Sequence, residues 1–129
     1  MKFRPGAVSL QVSIRQVGDI PILDLRGRST IGSDSDLLRS HLQALVANRA
    51  PKLLLNLAEL TQIDSSAVSI LVAAYVSLTR LGGELKLLQP RGRVLTVLEM
   101  IHLLDIIPSF EEEAQALASF HTRGYSAKP

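Results

Sequence analysis

Leu53-Leu54-Leu55-Asn56-Leu57 and the charge-free stretch from residue 65 to residue 79 stand close together in the chain, and the pair leaves few folds open. An apolar run without clean alternation is the form taken by a strand covered on both faces, as in a parallel sheet. The second stretch has helical spacing and is closed by Gly82-Gly83, so a long helix is predicted over residues 65–81. Thr61 to Asp64 then read as the loop that joins strand to helix.

The other segments fit this frame. Val8, Leu10, Val12 and Ile14 alternate with Ser9, Gln11, Ser13 and Arg15, the period-two pattern of a strand with one wet face. Gly18-Asp19 supplies turn chemistry, and the apolar residues 20–25 pair back as a hairpin, with Pro21 near an edge or strand start. Ser33 and Asp36 stand at capping-box spacing ahead of a stripe of Leu37, Leu38, His41, Leu42, Leu45 and Val46, which predicts a helix ending near Asn48. Glu84 to Leu88 read as a strand, and Val94, Val97, Leu98 and Ile101 as a third helix ending near His102. Ile106-Ile107 are taken as a short last strand, and Glu111-Glu112-Glu113 as the acidic opening of a terminal helix that reaches Phe120. The alternation predicts an α/β fold, a mixed and mostly parallel sheet of about five strands with four helices. Residues 1–7 are expected to be an N-terminal extension, 8–120 the domain and 121–129 a tail.

Composition excludes several function classes. With no cysteine among 129 residues there is no disulfide, no thiolate nucleophile and no thiolate metal site. A formal charge of +2 and 4% aromatics make neither a phosphate-tracking surface nor a base-stacking platform, so no nucleic-acid partner is expected. The most apolar stretch falls short of the roughly 20 residues that span a bilayer, and the N-terminal residues lack a signal-type apolar core, so a cytoplasmic protein without a membrane partner is expected. There is no phosphate-binding loop, dinucleotide fingerprint or nucleophile elbow, hence no expected enzymatic activity and no cofactor. His41, His102 and His121 are too scattered for a metal site.

Chemistry concentrates at Thr61-Gln62-Ile63-Asp64-Ser65-Ser66-Ala67-Val68-Ser69, where a carboxylate and hydroxyls meet at a helix start. Free N–H groups and the helix dipole favour negative charge there, so a phosphoserine is locally stabilised. Asp64 is suited to cap the helix or to polarise Ser65, and it repels a phosphate once attached; the plain alternative is that both residues are only caps. Along the helix, Val68, Leu71, Val72, Tyr75 and Leu78 are assigned to the core, and Ser66, Ser69, Ala73 and Ser77 to a small uncharged face. That face suits either a docking partner, with Ser69 and Ala73 in contact, or close packing against another helix. Arg80, Lys86, Arg91 and Arg93 are the residues that a nucleotide-binding alternative would use.

At these residues the chain resembles the STAS domains, named for sulfate transporters and anti-sigma factor antagonists. Leu54-Leu55-Asn56-Leu57-Ala58-Glu59-Leu60 followed by Ile63-Asp64-Ser65-Ser66 looks like the family's strand, loop and Asp-Ser-Ser phosphorylation motif, and Leu81-Gly82-Gly83-Glu84-Leu85 like its next helix end and strand. The similarity runs over residues 8–117. It implies a bacterial anti-sigma factor antagonist whose partners are a GHKL-type serine kinase that doubles as anti-sigma factor and a PP2C-like phosphatase. Ser65 maps to the phosphorylated serine, Asp64 and Ser66 to its neighbours, and Asn56 to a polar strand-end position near the site. Two departures stand out: Ala67 and Ser69 replace glycines common in the family's antagonists, and Thr30 stands near the family's acidic residue, in a basic loop that bears on partner choice. Alternatives are a structural STAS module of a signalling assembly or transporter, and a nucleotide-binding STAS module. A homodimer is compatible with all of them.

Overall fold

Leucines on both faces give one strand the middle of the sheet, and every other element is arranged around it. The computed structural model describes residues 10–29, 33–48 and 52–120. Their order is β1 (Gln11–Val17), β2 (Ile20–Ser29), α1 (Ser33–Ala47), β3 (Lys52–Ile63), α2 (Ser65–Arg80), β4 (Glu84–Leu88), α3 (Gly92–Met100), a 3-10 turn (Leu103–Asp105), β5 (Ser109–Phe110) and α4 (Glu113–Ser119). The sheet has five strands in the order β1-β2-β3-β4-β5. β1 and β2 form an antiparallel hairpin, and the remaining neighbours are parallel. The expected α/β class, strand number and helix number are met. Among the described residues no helix is long and apolar enough to cross a membrane.

β3 is longer than its apolar run. Leu53, Leu55 and Leu57 face one side and Leu54 the other, but the inward positions then fall at Leu60 and Ile63, a spacing of three. Register shifts against β2, between Asp24 and Arg26 and again between Gly27 and Arg28, add a residue to β3 each time. The Asn56 Oδ1 accepts the Ala58 N–H at 3.1 Å beside the first shift, and Thr61 Oγ1 donates to the Gly27 carbonyl at 2.8 Å beside the second. Residues expected to form a loop therefore continue the strand up to Asp64.

One face of the sheet packs on α1, α2 and α3 through Leu23, Leu25, Leu55, Leu57, Leu85 and Leu87 against Leu38, Leu42, Leu71, Leu78, Val94 and Leu98. α4 covers the other face through Ala116 and Phe120 on Ile20, Ile22, Leu54 and Leu88. α1 begins at Ser33, and in its first turns Asp36 pairs with Arg39 at 3.1 Å. Val72, assigned to the core of α2, is exposed; Ala67, Ile70 and Ala74 are buried instead. Ile14 is likewise 51% exposed, because β1 lies at the sheet edge, where the helical layer covers only as far as Val12. The last strand is not Ile106-Ile107. Their N–H groups bond the Leu103 carbonyl at 3.0 and 2.9 Å, closing the 3-10 turn and leaving no donor for a ladder.

Polar groups hold α4 at both ends. At its C-terminal end the Lys86 ammonium, only 8% exposed, donates to the Ser119 carbonyl and Oγ, both at 2.9 Å, and lies 4.9 Å from the Phe120 ring centroid. Charge-assisted bonds to a helix C-terminus and a cation over a ring act together there. Lys86→Ala is expected to lower stability by about 2 kcal/mol, read from urea unfolding, with α4 amides losing hydrogen-exchange protection first.

At its N-terminal end Arg15 bridges Asp24 (Nε to Oδ2, 2.6 Å) and Glu113 (Nη2 to Oε1, 2.6 Å). The bond from Arg15 holds the Glu113 carboxyl below its usual range. Partial burial pushes Asp24 up, but bonds from Arg15 and Asn56 outweigh it and leave Asp24 lowered. Carboxyls lowered in the folded state contribute stability above their unfolded pKa and lose it as pH falls through the folded value. Stability should therefore decline below about pH 4, and the decline in thermal midpoint should be shallower in Arg15→Met.

Candidate functional site

β3 delivers the chain to α2 through Asp64, whose extended backbone (φ −123°, ψ −174°) makes it the N-cap. Its Oδ1 accepts the N–H groups of Ser66 (3.1 Å) and Ala67 (3.2 Å). The same oxygen accepts the Ser66 hydroxyl at 2.8 Å. Since that proton is used, the Ser35 hydroxyl donates to Ser66 Oγ at 2.6 Å, which ties the start of α2 to buried Ser35 on α1. Asp34, next to it, accepts the Leu10 N–H at 3.1 Å.

Ser65 is the first residue of α2 and is exposed. Two of the first-turn N–H groups expected to be free for a phosphate are already bonded to Asp64, which leaves the Ser65 N–H and the helix dipole. With three bonds on one oxygen, Asp64 acts as a cap here.

A groove of about 440 Å³ runs between α1 and α2. Leu42, Ile70 and Ala74 are its buried lining, Ser69 and Ala73 stand on its α2 side, and Arg39 and Gln43 on its α1 side. Ser65, Ser69 and Ala73 follow at four-residue steps, so the hydroxyl of Ser65 is one turn beyond the groove on the same face of α2. The small residues of α2 thus do two jobs: Ser66 packs against α1, while Ser69 and Ala73 line an open channel.

The structure brings Asp64, Ser65, Ser66, Ser69 and Ala73 to one helix face or its start, and it does not bring Asn56 there. Asn56 lies mid-strand on the α4 side of the sheet, where its Nδ2 donates to Asp24 Oδ1 at 2.7 Å. The two added residues in β3 carry the strand end past it to Ile63. Thr30 and His121 lie outside the described residues. The basic residues are not gathered either: Lys86 is buried under α4, while Arg91 and Arg93 line a recess of about 410 Å³ with Thr61 and Gln62. His41 is half-buried and its Nδ1 lies 3.0 Å from the Leu37 carbonyl. Among the described residues no three metal-ligating side chains come together. Sequence reasoning missed Ser35, because the only signal was a small residue in the first turn of a helix.

No curated protein sequence matches the chain. Among solved structures, a candidate anti-sigma factor antagonist of Thermotoga maritima has a TM-score of 0.79 at 22% identity, over 84% of this chain and 93% of that one. An anti-sigma factor antagonist of Mycobacterium paratuberculosis has 0.77 at 19% identity, over 91% and 97%. The phosphorylated form of the Bacillus cell fate determinant SpoIIAA has 0.66 at 18% identity, over 85% and 97%. At these identities the likeness is one of fold. The STAS domain family profile matches residues 11–116, from the first strand to the last helix, and the chain belongs to that family.

Proposed function

We propose that this protein is a cytoplasmic anti-sigma factor antagonist, set by phosphorylation of Ser65, that binds an anti-sigma factor serine kinase of GHKL type along the α1–α2 groove. The observation that carries this reading is the exposed Ser65 hydroxyl at the start of α2, one turn from an open groove with a small uncharged wall. A kinase reaches such a hydroxyl without unfolding the helix. The γ-phosphoryl group passes to Ser65 Oγ, ADP leaves, and a base of the kinase takes the hydroxyl proton, since Asp64 is engaged as cap.

The phosphate brings a charge of about −1.5 to −2 next to Asp64. It competes with that carboxylate for the helix end and places an anion at the edge of the docking surface, where the desolvation cost opposes partner binding. A PP2C-like phosphatase restores the hydroxyl. The protein itself carries out no chemistry in this scheme and takes no cofactor.

Three observations bear on the alternatives. Ser66 is committed to Asp64 and Ser35, which favours Ser65 as the acceptor. Ala67 is fully buried, so a side chain in place of the family's glycine takes no space from an approaching kinase. Ser69 is exposed in the groove and is the departure a kinase would meet. The test is capture of the anti-sigma factor kinase by the purified protein, measured with ADP and again after incubation with ATP. Binding that is lost with ATP and regained with phosphatase supports the switch; binding indifferent to ATP supports a structural STAS module instead.

A further inference from the structure

The two edges of the sheet are treated differently. β5 is two residues long and follows Pro108, which blunts that edge. β1 is seven residues long, contains no proline, and keeps an unbroken register with β2 from Gln11↔Arg26 to Val17↔Ile20. Its one charged side chain, Arg15, is tied back to Asp24 and Glu113 and does not guard the edge. Ile14 is 51% exposed and Val17 38% exposed on the same strand. This edge lacks the lysines, bulges and prolines that usually prevent pairing.

Which groups face outward follows from the turn. In a two-residue hairpin the residues that flank the turn exchange both backbone bonds, and bonded pairs then recur at every second position. With Val17↔Ile20 bonded, the pairs at Arg15, Ser13 and Gln11 also point at β2, and the backbone groups of Val12, Ile14 and Gln16 point away from it, where no strand among the described residues pairs with them. Pro21, which has no N–H, falls opposite Gln16, where no bond to β1 is required.

We propose that β1 is a homodimer interface, in which two copies pair antiparallel about a two-fold axis through Ile14. Ile14 then meets its own mate, Val12 meets Gln16 of the second copy, and Ser13 meets Arg15, with about six new backbone bonds. The occupant is a second copy because the strand is self-complementary in this register: its only charge falls opposite a neutral serine, and its exposed isoleucine falls on itself. The sheet becomes a continuous ten-stranded one, twice the five strands of one copy.

The full chain should sediment as a dimer at the upper end of a series from about 1 to 500 µM, and Ile14→Lys should raise the dissociation constant at least roughly tenfold without lowering the thermal midpoint read at the dilute end, where both chains are monomeric. A cysteine scan reads the register, since the chain has no cysteine of its own. In a bonded antiparallel pair the Cα atoms lie about 5.5 Å apart, within disulfide reach, so Ile14→Cys should cross-link fully under mild oxidation and Val17→Cys should not. A wild-type chain monomeric throughout, a dimer unmoved by Ile14→Lys, or equal cross-linking at both positions overturns the proposal.

Discussion

Replacing Ser65 with alanine is expected to reduce phosphate incorporation from one group per chain to background, a loss of at least about a hundredfold in intact-mass measurements, because it removes the only atom to which the phosphoryl group is proposed to attach. Ser65 is exposed at the first position of α2 and makes none of the bonds that hold the helix start, so stability should change by no more than about 0.5 kcal/mol. Ser66→Ala should behave in the opposite way. It loses the Oγ bond to Asp64 and leaves Ser35 without its 2.6 Å partner, which costs about 1–2 kcal/mol, yet phosphate is still incorporated. The crossed pattern separates an acceptor from a structural hydroxyl. Phosphate that persists in Ser65→Ala and disappears in Ser66→Ala would move the site to the buried link and undo the switch as drawn.

The architecture was legible because two different periods lie side by side. Leu53, Leu54, Leu55 and Leu57 announce a strand covered on both faces, and the charge-free helix after it announces the crossover, so the parallel sheet follows from these segments. What escaped were places where backbone bonding overrides side-chain pattern. Leu57, Leu60 and Ile63 have a spacing of three, which reads as the end of a strand unless the two register shifts are known. Ile106 and Ile107 have the composition of a strand but spend their N–H groups on Leu103. Val72 follows the helical stripe, yet α2 is turned so that Ala67, Ile70 and Ala74 face inward, because small residues let α1 approach.

The candidate site was partly legible for a related reason. Local chemistry marks Asp64 and Ser65 as a carboxylate and a hydroxyl at a helix start, equally suited to plain capping, and the resemblance to the STAS domains is what singles out Ser65 as the candidate acceptor. Asn56 depends on where β3 ends. Once the strand is extended through Ile63, Asn56 falls among Arg15, Asp24 and Glu113 on the opposite face, where it braces the sheet under α4. The bond from Ser35 links residues 31 positions apart and has no trace in the local pattern. It nevertheless ties the start of α2, beside the proposed phosphosite, to α1 across the helix pair that forms the groove.

Ala73→Arg is the second substitution with a large expected effect. Ala73 is exposed on the α2 side of the groove, so a long side chain can be accommodated without disturbing Ile70 or Ala74 beneath it, and the thermal midpoint should stay within a few degrees of wild type. The partner meets a different surface. A guanidinium in a channel of about 440 Å³ fills the space left by small residues and places an unpaired cation where the docked partner would exclude water. Affinity for the kinase should fall at least about thirtyfold in titration calorimetry, roughly 2 kcal/mol. Ser69→Arg, one turn nearer to Ser65, should have a similar effect and should also slow phosphate transfer. Val72→Arg, on an exposed face outside the groove, serves as the control and should do neither. Equal losses in all three variants would show that the partner binds α2 from outside or that the helix itself is disturbed. Retention of affinity in Ala73→Arg would remove the groove from the docking surface while leaving Ser65 available as a phosphosite.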